Sequence, residues 1–461
     1  MPQYNDDMER RRAKREAMRR KKEADAKRLR RTLLLAALVL GLCAWGIYSL
    51  VQKQGGETVQ APRETQPAVE TTEYVSPIVQ DPVTKIHIRA AGDLNVTDSV
   101  VESGITAAGY DYTAAFRDVG AVLSEADLTV LNFEGNIYGE PYGSATSSAP
   151  PELLRDLRDI GVDLLQVANS CTVNNGLNGM ASTLQAIRNA GIEPLGAYAN
   201  ESELRTGKGY TIAEVRGVKV AFVAFTKGLG GRGMPAGNEQ LVNLLYTDYA
   251  SDYQKIDRDR ITSILKSVAA ERPDITVALL HWGSEYNDDI SKTQKSIVSL
   301  LQKNGVNVII GTHPHTVQPI EYDPITGKFV AYSLGDFFGD AQRAATNYSI
   351  ILDLEITKDT TTNTTKVTDY SYTPIYTVKK SDSEGDYSYS RVMRVNTALA
   401  AYNGNFLDRI NKECEAGMTK ARSRIEERLK MPKTKEEQEK EEKAQKAKEA
   451  KEQKAKAQKG N

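Results

Sequence analysis

Three of the four histidines in this chain stand just past short apolar runs. ITVALL leads into His281-Trp282-Gly283 with Glu285 following, and VNVIIGT leads into His313-Pro314-His315. Three further runs end in Gly92-Asp93, in Asn132-Phe133-Glu134-Gly135 and in Ala168-Asn169-Ser170-Cys171. Imidazole, carboxylate and amide oxygen together suit a borderline divalent ion such as Zn, Mn or Fe better than Ca or Mg. Asp93, Glu134, Asn169, His281, His313 and His315 exceed what one tetrahedral site needs. They suit two ions roughly 3.5–4 Å apart that share a carboxylate and activate a bridging water. On a straight strand His313 and His315 would share a face, but Pro314 is expected to turn the chain and bring both nitrogens to one centre. Each signal also has a plain reading. Gly-Asp after a strand is commonly a turn, Asn after a strand commonly caps a helix, and His87, inside an alternating run, reads as an ordinary sheet residue. Five such strand ends in one chain point to a metal-type pocket.

The elements that must carry these residues are legible as alternation. KIHIRAAGD, LTVLNFEG, DLLQVAN, ITVALLHWG and VNVIIGTHP read as strands. Between them, 112–125, 151–159, 177–190, 252–271 and 291–303 carry helical periodicity, so a sheet with helices outside it is expected. Ligands of such sheets bind past the carboxyl ends of the strands. GYTIAEVRGVKVAFVAF reads as a hairpin turning at Arg216-Gly217, and VQPIEYDPITGKFVAYSLG as another turning in DPITG. The sheet is therefore expected to be of mixed direction, or to be two stacked sheets.

Composition frames this body. The 461 residues hold 60 Lys plus Arg and 61 Asp plus Glu, but the charges are segregated. Residues 1–31 are net +7 and 433–461 net +3, leaving 37 basic and 48 acidic residues between them, net −11. An acidic body argues against nucleic acid as a partner. Thr32 to Val51 is a 20-residue run without charge, long enough as a helix to span roughly 30 Å of hydrocarbon. The Arg/Lys cluster precedes it, so the reading is an uncleaved single-pass anchor at the cell membrane, with 1–31 cytosolic and the main domain extracellular. Residues 52–83, with four prolines and a Gly-Gly pair, form a linker. A globular domain follows over 84–390, an amphipathic helix at its edge over 391–432, and a charged low-complexity tail over 433–461. Cys171 and Cys414 would both lie outside the cell. Whether they pair is left open by the sequence.

In order along the chain, GD, NxEG, AN-x-x, HWGSEY (281–286), HPHTVQPIE (313–321) and YSLG resemble the CapA-type poly-γ-glutamate capsule-synthesis proteins of the calcineurin-like metallophosphoesterase superfamily. The resemblance runs from about Ile86 to Phe338. It implies a four-layer α/β/β/α metallophosphatase-like sandwich, a two-metal site and a membrane-anchored protein that faces outward. The implied role is in making, anchoring or exporting an anionic surface polymer, with membrane-embedded synthase subunits as partners. The six residues above sit where that pattern places ligands, and Asn132 is a weaker addition.

Three departures from the pattern matter. Cys171 stands where such proteins carry the histidine that protonates a leaving group; it would donate a proton, bind a soft metal or fill space. Thr312 replaces a histidine before His313. Asp336 replaces the amide of SLGN, adding charge that would hold a metal or repel an anionic substrate. Lys227 and Arg232, in the loop TKGLGGRGMP, would clamp an anionic substrate or merely lie on a flexible connector; Asn132 and Glu285 join them as candidate substrate contacts. Three functions compete: a metal-dependent hydrolase or transferase acting on the polymer, a non-catalytic factor that grips polymer or synthase with a vestigial site, and a purely structural wall-associated protein, for which the charged tail is the only argument.

Overall fold

The computed structural model describes residues 82–382, 389–404 and 410–429. The chain runs through β1 (Val83–Asn95), α1 (Asp98–Ser103), β2 (Ile105–Thr106), β3 (Gly109–Tyr110), α2 (Thr113–Ser124), β4 (Leu128–Glu134), α3 (Glu152–Asp159) and β5 (Leu164–Gln166). Next come α4 (Gly176–Asn189), β6 (Glu193–Leu195), α5 (Glu201–Gly207), β7 (Thr211–Val215), β8 (Val218–Thr226), α6 (Arg258–Ala270), β9 (Ile275–His281), α7 (Lys292–Lys303) and β10 (Val308–Thr312). It closes with β11 (Ile320–Asp323), β12 (Lys328–Ala331), β13 (Asp336–Phe338), β14 (Tyr348–Asp359), β15 (Thr364–Val378), β16 (Arg391–Arg394), α8 (Val395–Asn403) and α9 (Lys412–Arg428).

Two mixed sheets result. One has the order β16-β15-β14-β1-β4-β5-β6 with β13 also paired to β1; the other has the order β11-β12-β10-β9-β8-β7. Within them β1-β4-β5-β6 and β8-β9-β10-β12 are parallel, whereas β14–β16, β7 and β11 run antiparallel to their neighbours. Both expected hairpins form, at β7–β8 and β11–β12.

The pleat explains why the central strands are apolar throughout. In β4, Leu128 and Val130 face the core between the sheets, while Leu131 and Phe133 face the layer built by α2, α3 and α4. In β9, Ile275, Val277 and Leu279 face the inter-sheet core, while Ala278 and Leu280 meet α6 and α7. A strand covered on both faces cannot alternate with polar residues. Each buried Leu, Val, Ile or Phe among them contributes about 1.5–3 kcal/mol relative to exposure. Continuing the same alternation past the apolar stretch puts Asn132, Glu134 and His281 on the inter-sheet side. That is where the core ends and the site begins.

The C-terminal region departs from the expected single edge helix. Arg391–Arg394 adds a strand to the larger sheet, α8 closes at Gly404, and α9 follows. Cys414, Met418, Ala421 and Ile425 of α9 are buried at three- and four-residue spacing and join the inter-sheet core. The long β14–β15 hairpin extends the larger sheet and provides the surface they cover. Cys414 and Cys171 are both free thiols, so the disulfide left open by the sequence does not form. The helix expected over 252–271 starts only at Arg258, behind an N-cap in which the Asp257 side chain accepts from the Arg260 N–H. Among the described residues no helix is long and apolar enough to cross a membrane. Residues 1–31, the run 32–51, nearly all of the linker and the tail 433–461 lie outside the described residues.

Candidate metal centre

The centre forms where β1, β4, β9 and β10 end and their loops converge between the sheets. Two glycines make the approach close enough. A Cβ on Gly92 would sit 1.7 Å from the Gly335 carbonyl oxygen, and one on Gly311 would sit 1.9 Å from that of Tyr332. The first contact lets the Asp93 N–H bond Gly335 O at 3.0 Å. It also sets β13 beside β1 with Asp93 opposite Asp336. The second lies next to the Trp282 indole, which donates to Tyr332 O at 2.9 Å and stacks on the Tyr332 ring.

Around this frame the side chains interlock. The Asn132 amide donates to Asp93 Oδ1 at 2.6 Å and to Glu134 Oε1 at 3.1 Å. Asn169 lies beneath, donating to Asn132 Oδ1 at 3.0 Å and to Phe133 O at 2.7 Å, while its oxygen accepts from the Cys171 N–H at 3.0 Å. His281 Nδ1 is 3.2 Å from Glu134 Oε1, and its Nε2 accepts from the Ser170 N–H at 3.2 Å. His315 Nδ1 is 2.8 Å from Asp336 Oδ1 and 3.5 Å from Asp93 Oδ2. The turn expected at Pro314 is real: His313 and His315 both adopt left-handed backbone (φ 89° and 59°), and their ring centroids are 6.0 Å apart. Such a conformation is costly for a residue with a Cβ and persists only where surroundings enforce it. Here the enforcing contact is the His313 N–H, which donates to Asp93 Oδ2 at 3.0 Å.

Burial dominates the electrostatics. It raises the carboxyls of Asp93 and, helped by the neighbouring Asp93 charge, Glu134, and it pushes Asp336 up to about 6 although His315 opposes this. Burial holds His281 and His313 well below their ordinary value, and the charges of their neighbours add to it. Burial also opposes a charge on His315, but the Asp336 carboxylate, with Glu134 and Asp93 behind it, raises that imidazole to about 11.

Three groups of side chains place one ligand atom each within 4.8 Å of one another: Asp93, Glu134 and His281; Glu134, His313 and His315; and Asp93, His315 and Asp336. The His313 Nδ1 atom is buried with no hydrogen-bond partner. Buried carboxylates with no guanidinium or ammonium partner among the described residues, together with an orphaned imidazole nitrogen, form a donor set that divalent ions fit.

Of the residues singled out from sequence, Asp93, Glu134, His281, His313 and His315 are brought together. Asn132 and Asn169 lie among them as hydrogen-bonding supports, with the Asn169 oxygen turned to Cys171. Lys227 donates to Gly283 O at 2.7 Å, sits 4.6 Å over the Tyr253 ring, and its ammonium pKa is lowered by burial. Glu285 and Arg232 are exposed and make no hydrogen bond to the cluster among the described residues. Cys171 lines the 560 Å³ pocket over the centre, together with Glu134, His315, Asp336 and Tyr286. Burial, with the Glu134 charge, pushes its thiol up to about 12.

Asp336 and Asn95 are the additions. Asp336 was visible as the changed residue of SLGD but was not placed in the ligand set. Asn95 donates to Asp336 Oδ1 at 3.2 Å; standing two residues past Asp93, beyond a break in strand register, it carried no sequence signal.

Buried imidazoles and carboxylates converging where parallel strands end define an α/β protein built around a candidate divalent-metal centre. The chain belongs to the family described as bacterial capsule synthesis protein PGA_cap, whose profile matches residues 87–341. It is 27% identical over 251 residues to the PGA biosynthesis protein CapA of Bacillus subtilis (strain 168), covering 53% of this chain and 62% of that one. It is also 27% identical over 295 residues to the capsule biosynthesis protein CapA of Bacillus anthracis, covering 62% and 68%. The chain therefore spans about two thirds of the length of these relatives. Among solved structures, the calcineurin-like phosphoesterase YfkN from Bacillus subtilis is similar over 64% of this chain and 91% of that one, at 18% identity and a TM-score of 0.39.

Proposed function

We propose that this chain acts on an anionic, poly-γ-glutamate-like capsule polymer as a metal-dependent hydrolase or transferase, supporting its synthesis, anchoring or export. The observation that carries this reading is the set of three overlapping ligand groups within 4.8 Å, built from buried residues of β1, β4, β9, β13 and the turn after β10. Asp93, Glu134, His281, His313, His315 and Asp336 would hold the metal, probed first with Mn, Zn or Fe. Divalent ions there would supply positive charge that polarises an acyl or phosphoryl oxygen and lowers the pKa of a water. The chain's own residues do the rest. Asn132 fixes the carboxylates and is itself held by Asn169, Ser170 orients His281, and the pocket lined by Tyr286 and Cys171 receives the polymer.

The anchoring part of the proposal rests on the uncharged run 32–51 behind a cationic segment. It leaves the domain outside the cell, beside membrane-embedded synthase subunits. Protease added to intact cells should then digest the domain, and its survival would refute that topology.

A second reading, a polymer-holding factor without turnover, is favoured by Cys171. A thiol near 12 lies far from the range in which general acids work well at neutral pH. One experiment separates the two. Metal-reconstituted full chain is incubated with γ-glutamyl polymer and chain length is followed. Shortening or end-group transfer that disappears in His313→Ala/His315→Ala supports the enzyme. Retained binding with unchanged length supports the factor, and neither binding nor turnover defeats both.

A further inference from the structure

A second cavity, of about 720 Å³, adjoins the pocket over the metal centre and shares Tyr286 with it. The shared wall is Tyr286, which stacks with two groups that line the pocket over the centre. The Tyr286 ring lies on His315 with centroids 5.5 Å apart, and the Arg343 guanidinium stands 4.2 Å from the Tyr286 centroid. His315, Tyr286 and Ala345 all adopt left-handed backbone on this rim (φ 59°, 59° and 69°). The Tyr286 N–H donates to Pro314 O at 2.8 Å, so the aromatic wall is tied to the histidine turn itself. The far side of the cavity is α9, which presents Arg424, Glu427 and Arg428. Arg428 pairs with Asp288 and also donates to its carbonyl oxygen at 3.2 Å, docking α9 against the loop that carries Tyr286. Arg343 and Arg424 make no ion pair among the described residues.

We propose that this cavity is a chain-binding subsite for an acidic polyamide, which crosses from the metal centre over the Tyr286–Arg343 stack to Arg424. The inference rests on the proposed function and names where the rest of the polymer lies while one unit occupies the centre. The two unpaired guanidiniums match carboxylates, which they can take in bidentate fashion. Glu427 and Thr316 accept from amide N–H groups. Val317, Ala344 and the Tyr348 ring give methylene stretches an apolar floor. A polymer of bare phosphates would use the arginines but has neither amide N–H groups for Glu427 and Thr316 nor methylenes for the floor. The family match ends at residue 341. Arg343, Arg424 and Arg428 therefore lie beyond it, whereas Tyr286, Thr316 and Val317 lie within it.

The test measures binding of a short γ-glutamyl oligomer, of free glutamate and of a polyphosphate of similar length to the metal-loaded full chain. Arg424→Glu should weaken the oligomer about tenfold and leave free glutamate and metal content unchanged. Arg424→Lys should restore part of the loss. Unchanged oligomer affinity in Arg424→Glu, with binding still lost in His313→Ala/His315→Ala, overturns the subsite and leaves the proposed function standing. No oligomer binding to the wild type overturns the proposed function itself. Polyphosphate binding more tightly than the oligomer overturns the polyamide assignment. Because Arg424 is exposed on α9, an unchanged thermal midpoint is expected and serves as the folding control.

Discussion

The two cavities on either side of Tyr286 treat charge in opposite ways. In the metal centre, Asp93, Glu134 and Asp336 are buried with amides and imidazoles as their side-chain partners. Desolvation there is expensive, and only a partner of concentrated positive charge relieves it fully. In the neighbouring cavity the guanidiniums reach solvent, where an isolated ion pair is worth about 0–1 kcal/mol and is screened by salt. The buried donor set suits one compact ligand of concentrated charge. The open site can hold a chain only through several weak contacts, and can let it slide.

The sharpest way to break this comparison is to remove the imidazoles. His313→Ala/His315→Ala should reduce the metal retained after desalting to near none, read by elemental analysis. Unaltered metal content in this variant would place the ions elsewhere. Gly92→Ala comes next. Its Cβ would collide with backbone at Gly335, so a loss of about 3 kcal/mol or more is expected in chemical denaturation, with metal affinity falling in parallel as β13 moves off β1.

Metal removal should make stability sensitive to pH. A group whose folded pKa is raised contributes stability that is present below its unfolded value and lost as pH rises through the folded value. His315, raised to about 11, therefore predicts that metal-stripped protein weakens steadily from about pH 7 to about pH 11. Metal-loaded protein should be flatter in the same denaturant titration, and equal slopes would refute the linkage. Asp336→Asn should shrink the slope, because Asp336 is the largest support of the His315 charge.

The smallest effects belong to the open cavity. Arg428→Ala should cost about 1 kcal/mol or less in thermal unfolding. Raising salt from low to high should weaken γ-glutamyl oligomer binding several-fold while leaving metal content untouched.

Five strand ends and the hairpins were readable because apolar periodicity and turn residues are local signals. In β4 and β9 the alternation even fixes which side chains face the inter-sheet cleft, so Asn132 resolves onto the same face as Glu134. The C-terminal region was less legible. An apolar stripe such as Cys414-Met418-Ala421-Ile425 says that a helix is covered, not by what, and the sheet that covers it is assembled from β14 and β15. The role of Arg232 could not be read either, since a charge in a Gly-rich loop has no periodicity to aim it.

By itself, the sequence determined the kinds of ligand, their order and their placement after strands, because side-chain chemistry and chain-local periodicity are properties of consecutive residues. Tertiary structure alone decided that Asp336 stands opposite Asp93, that Tyr286 stacks between His315 and Arg343, and that the two cysteines stay apart. Those facts depend on which carbonyl meets a glycine without a Cβ and which sheet a distant helix covers. Contacts between residues hundreds of positions apart are set by packing, and packing is not written in any local stretch of the chain.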